Sequence, residues 1–112
     1  MTPFDICEAD FFGDLATDTH GMWEVFEFVR LHYPDLSEEQ VFDRGRDYIT
    51  RWVDADWIQI SDAPHYPSTI TSLSEIPQFL EQHGLAATRY LENSPSFDIT
   101  ETAQRVYESQ TI

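Results

Sequence analysis

The chain has 112 residues, with 21 Asp and Glu against six Arg, no Lys, and a formal net charge of −15. That balance disfavours direct nucleic-acid binding through a phosphate-neutralising surface, and docking on anionic lipid, because both need clustered cations. Apolar residues at 41% and aromatics at 14% can still offset chain entropy and charge repulsion, and the length fits one domain, 1–112.

The single cysteine, Cys7, allows no intramolecular disulfide and no multi-cysteine zinc motif. No apolar run approaches the roughly 18 residues that span a bilayer. The first ten residues lack the basic start and apolar stretch of a signal peptide. A cytoplasmic protein without a membrane association is expected.

Residues 1–18 interleave Asp5, Glu8, Asp10, Asp14 and Asp18 with Phe4, Ile6, Phe11, Phe12 and Leu15. So apolar a segment is expected to pack on the domain as a short helix. From His20 to Tyr33, Met22, Val25, Phe26, Val29 and Tyr33 recur at helical spacing until Pro34 stops them. Ser37 with Gln40 forms a capping box, and Val41, Gly45, Tyr48, Ile49, Trp52 and Val53 carry a helix to about Asp54. Gly45 suits close approach of a neighbouring helix.

Trp57 to Ser61 reads as a strand and Asp62 to Ser68, with two prolines, as a loop. Ser74 is the expected cap of a helix running to His83, which Gly84 closes. Leu85 to Glu92 suggests another helical turn or two. After the break at Asn93-Ser94-Pro95, Phe97 to Ile99 forms a second strand pairing with the first. Thr100 then caps a last helix with Ala103, Val106 and Tyr107 facing inward.

This order of helix, helix, strand, insertion, strand and helix resembles a winged-helix domain over about residues 20–108. The segments carrying the likeness are Ile49-Thr50-Arg51-Trp52-Val53-Asp54-Ala55-Asp56-Trp57-Ile58 and Ile99-Thr100-Glu101-Thr102-Ala103. The expected fold is therefore α+β and mostly helical, with three to five helices and a small two-stranded antiparallel sheet. The resemblance implies a transcriptional regulator or adaptor, contacting nucleic acid through Arg44, Arg46 and Arg51. Winged-helix DNA readers place a tight turn before the recognition helix. Here Ser37 to Asp54 has no turn signal, and its Arg residues alternate with Glu38, Glu39, Asp43, Asp47 and Asp54.

In character the chain is also similar to small acidic bacterial immunity proteins and phage-encoded inhibitors, whose carboxylates meet the basic cleft of a nuclease. Residues 1–56 carry a net charge of −10 and the remainder −5. The expected partner-facing residues are Asp10, Asp14, Asp18, Asp35, Glu38, Glu39, Asp43 and Asp47. A solubilising or salt-adapted surface is the competing explanation of the acidity.

Catalysis and metal binding have less behind them. Asp54 and Asp56 form a D-x-D pair, but a divalent site needs further ligands, and ending a helix is the simpler role. His20, His32, His65 and His83 share no metal-ligand spacing. Carboxylates around Cys7 weaken its thiolate, and four scattered glycines make no phosphate loop. No enzyme, cofactor or metal is expected. Trp52 is expected in the core, with Trp23 open as an interface anchor.

Overall fold

A computed structural model describes residues 4–61 and 68–110. The proline-containing loop expected at Asp62 to Ser68 lies, apart from Ser68, outside the described residues, as does His65.

Helix α1 (Ile6–Leu15) starts where local chemistry allows it. The Asp5 carboxylate accepts the Glu8 amide at 2.8 Å, and Glu8 Oε1 accepts the Asp5 amide at 3.0 Å, a reciprocal capping box. Phe4, Cys7, Phe11, Phe12 and Leu15 are buried, so the acidic N-terminal segment packs on the core.

Helix α2 (Trp23–His32) starts later than the periodicity suggests, because His20 and Gly21 form a strand, β1 (His20–Gly21). The sheet accordingly has three strands rather than the expected two. Its order is β1-β3-β2, all antiparallel, with β3 (Ser96–Ile99) central and β2 (Ile58–Ile60) at the other edge. His20 pairs with Phe97, and Ile58 with Ile99. Two residues are too few to leave an alternation in the sequence, and their hydrogen-bond partners lie more than seventy positions away.

Helix α3 (Glu38–Asp54) follows its capping box without interruption, with Ser37 Oγ accepting the Gln40 amide and the Gln40 side chain returning to the Ser37 amide. It ends in a Schellman motif: the Asp56 amide donates to the Val53 carbonyl and the Trp57 amide to the Trp52 carbonyl, at 3.2 and 2.8 Å. Asp56 takes the left-handed conformation there, at φ 59°, which Asp tolerates better than most residues. The D-x-D pair is thus a helix terminator.

Helix α4 (Ile76–His83) is entered through a 3-10 turn, Leu73–Glu75, whose cap is Ser72 rather than Ser74. Glu75 reaches back to the amides of Thr71 and Ser72, so an S-x-x-E box starts at Ser72, two residues before the expected cap. Gly84 closes the helix at φ 55° and opens a second 3-10 turn, Gly84–Thr88, the whole of the helical structure found between Leu85 and Glu92. Thr100 caps helix α5 (Glu101–Gln110) by accepting the Ala103 amide at 3.1 Å, while its hydroxyl donates to the Asp56 carbonyl at 2.6 Å. One side chain therefore joins the end of α3 to the start of α5.

The core gathers Trp52, Phe11, Phe12, Phe26, Phe97, Met22, Ile49 and Ile58, all fully buried. Trp52 stacks on Phe11 at 5.0 Å and meets Phe12 edge-on. Where α2 crosses α3, Gly45 lies against Phe26. A Cβ there would stand 2.4 Å from two carbons of the ring, which is itself stacked beside Phe42. Gly45→Val should lower the unfolding free energy by about 1–3 kcal/mol, despite a helix-propensity gain of a few tenths. Urea midpoints measure this, and an unchanged midpoint would mean that α2 can back away freely.

Candidate partner-binding surface

Helix α3 buries Val41, Gly45, Tyr48, Ile49 and Trp52 and turns the opposite side outward. On that outward side Glu39, Asp43, Asp47 and Asp54, all exposed, fall within one narrow arc, since steps of four and seven residues return near the same direction. The row holds more carboxylates than any other described helix or strand carries. Asp43 and Asp47 also wall a cleft of about 470 Å³, which Asp5 enters from the N-terminus of α1 and which Arg44 and Arg51 line as well.

Beneath this cleft a buried carboxylate ties α1 to α3. Glu8, 2% exposed, accepts the Trp52 indole N–H at 2.6 Å and the Arg51 Nε at 3.1 Å through Oε2, while Oε1 caps α1. Beside it the Tyr48 hydroxyl donates to Asp5 Oδ2 at 2.5 Å. Burial, then this bond to Asp5, pushes the Tyr48 phenol well above its ordinary range. The D-x-x-E spacing at Asp5 was a readable cap signal. That the same Glu8 reaches an indole 44 positions away was not.

Three arginines of α3 are drawn into the molecule's own contacts. Arg44 stacks over Tyr33 at 4.3 Å, Arg46 pairs with Asp43 at 3.1 Å and lies over Phe42, and Arg51 reaches Glu8 and lies over Trp57. Elsewhere Arg30 and Arg89 converge on Glu38 at 3.1 and 2.7 Å, and Arg30 also holds the Thr88 carbonyl and hydroxyl. The Arg30 hydrogen bond leads the effects that lower the Glu38 carboxyl pKa. Glu38 is therefore a clamp between α2, α3 and the turn after α4.

The other expected contact residues are dispersed. Asp10 bonds His32 Nε2 at 2.8 Å, and Asp14 is exposed one turn further along α1. Asp18 accepts the Thr19 amide and lines a separate cleft with His20, Trp23 and Glu24. Asp35 is exposed in the turn between α2 and α3. The structure thus joins Glu39, Asp43 and Asp47 into one row, adds Asp54 to it and Asp5 to the cleft beside it, and sets Asp10, Asp14, Asp18, Asp35 and Glu38 apart.

Trp23 is half-buried and meets Tyr90 edge-on at 6.2 Å. The described histidines do not converge. His20 pairs with Glu24 at 3.1 Å, and that bond raises its pKa against the opposing effect of burial. His83 packs on Phe79 at the end of α4. Among the described residues no three His, Cys, Asp or Glu are grouped to hold a metal, and no helix is long and apolar enough to cross a membrane.

Cys7 is buried, and its thiol is pushed up to about 12, first by desolvation and then by Asp5. Only the thiolate is a nucleophile, so iodoacetamide at pH 8 should alkylate the folded protein at least about a hundredfold more slowly than the urea-unfolded chain. Equal rates followed by mass spectrometry would place the thiol at the surface. No protein-family model, curated protein or solved structure matches the chain, so these residues and their geometry are the ground on which function is read.

Proposed function

We propose that this protein is an immunity-type inhibitor that binds a basic nucleic-acid-handling protein, such as a nuclease toxin, in the cytoplasm. The carboxylates of the α3 row stand where the phosphates of nucleic acid would lie. One observation carries the reading: an exposed row of Glu39, Asp43, Asp47 and Asp54, beside which the arginines are engaged with the protein's own carboxylates and rings. Carboxylates repeat along it at about 6 Å for each four-residue step, on a molecule of net charge −15. Such a row captures a cationic cleft quickly and repels nucleic acid itself. No catalytic step is assigned to it.

The direct test is co-purification with the product of the neighbouring gene, followed by titration of ionic strength. Affinity should fall roughly tenfold or more as salt shortens the Debye length from about 10 Å towards 3 Å. An affinity indifferent to salt overturns the proposal.

A second reading, a winged-helix regulator or adaptor acting through Arg44, Arg46 and Arg51, draws support from the element order. Helix, strand, helix, helix and strand follow one another, α4 intervenes before β3 and α5 comes last, and β3 lies between β1 and β2 in the sheet. A gel shift with genomic fragments discriminates the two, and no shift at low salt removes this one.

A further inference from the structure

Helix α3 carries a further stripe that runs from buried Ile49 at the edge of its core face towards its acidic row. Phe42, Arg46, Ile49, Thr50 and Val53 recur at steps of three and four, which keeps them on one side of the helix. Opposite them stand Ile76, Pro77, Leu80, Glu81 and Gly84 of α4 and its end, again at steps of three or four. Between the two helices runs a groove of about 530 Å³, which Leu73 also lines. Its floor is buried Ile49, Ile76 and Leu80, its walls are half-buried Phe42, Val53 and Leu73, and its rim is exposed. From Phe42 to Val53 the groove follows α3 for about 16 Å, or three helical turns.

The rim decides what fits. Asp54 on α3 and Glu81 on α4 place a carboxylate on each side, whereas the rim cation Arg46 is bound by Asp43 at 3.1 Å. An apolar trough between carboxylates complements a segment with apolar anchors flanked by Lys or Arg. A trough lined by α3 over three turns and by α4 over about two matches the helix-in-groove mode, whose anchors recur at i, i+4 and i+7. An anionic or purely polar segment meets repulsion at the rim or leaves the trough wet.

We infer that the α3–α4 groove seats a cationic amphipathic helix of the partner protein, next to the acidic row that attracts it. The inference rests on the reading of a basic protein partner and adds to it the segment recognised and the place where it docks. Charge then governs encounter through the row, and apolar burial in the groove governs how long the complex lasts.

The test uses the full chain and two labelled synthetic peptides of about 15 residues, of equal Leu, Ala and Arg content. One places Leu on a single helical face at i, i+4, i+7 and i+11; the other spreads the same Leu around the helix. Anisotropy at about 150 mM salt should show the one-faced peptide binding roughly tenfold or more tightly. Its amide shifts should centre on residues 42–54 and 73–84. Thr50→Trp fills the groove from an exposed position that leaves the core intact, as circular dichroism would verify, and should reduce the one-faced peptide to the affinity of the other. A second variant, Leu73→Gln, should act in the same direction.

Equal binding of both peptides, or shifts centred elsewhere, overturns the groove assignment while leaving the acidic-binder reading in place. Failure of both peptides to bind even at low salt overturns the acidic-binder reading, and the groove assignment with it. Dimerisation of the chain that Thr50→Trp abolishes would make a second copy the occupant, which also overturns the assignment.

Discussion

Trp52→Ala should lower the unfolding free energy by about 3–5 kcal/mol, a large part of the roughly 5–15 kcal/mol that a small domain possesses. Trp52 is 1% exposed and touches three aromatic rings, Phe11, Phe12 and Tyr48. Truncation leaves a cavity among groups that cannot all collapse into it. It also removes the indole N–H that Glu8 Oε2 accepts at 2.6 Å, although Arg51 Nε still reaches that oxygen at 3.1 Å.

Trp52→Phe separates the two losses. It keeps an aromatic ring in the stack but deletes the N–H, and should cost less than truncation, about 1–3 kcal/mol. Urea denaturation followed by far-ultraviolet circular dichroism reads both variants. If alanine at this position costs under about 1 kcal/mol, the α1–α3 junction is not the centre of the fold.

The largest functional effect should come from Glu39→Gln, Asp43→Asn and Asp47→Asn made together. All three side chains are exposed, so the fold should survive, and the Asp43–Arg46 pair contributes little at the surface. Association with the proposed basic partner should slow by roughly ten- to a hundredfold at low salt, with a smaller effect at high salt. Net charge alone could mimic this result. Glu92→Gln, Glu101→Gln and Glu108→Gln remove three charges elsewhere and supply the comparison. Stopped-flow association rates that fall equally in both triple variants would mean that overall charge, and not the α3 row, guides the encounter.

The two experiments probe one junction from opposite sides. Glu8 and Arg51 hold the inner face of α3 to α1, while Asp43 and Asp47 stand on its outer face around the same cleft. Loosening α1 through Trp52 should therefore reach the acidic cleft through Asp5, the N-cap of α1, which lines it.

What the amino-acid order determined by itself was local. Ser37 and Gln40 set the start of α3, Thr100 set the start of α5, and the period of Val41, Gly45, Tyr48 and Trp52 named the buried face. Gly45 announced a close helix crossing, and the charge excess of residues 1–56 pointed to the acidic half. Each depends on neighbours within a few positions, whose spacing is written directly in the chain.

Tertiary structure alone decided what long-range partners control. It made a strand of His20–Gly21, because Phe97 and Ser96 supply the pairing. It buried Glu8 beneath Trp52, although a glutamate among aspartates reads as solvated. It drew Glu38 out of the acidic set by bringing Arg30 and Arg89 to it, and it set α4 against the Phe42–Val53 stripe to form a groove. Spacing along a chain specifies which side of a helix a residue occupies; which other element comes to lie against that side depends on packing the whole core at once.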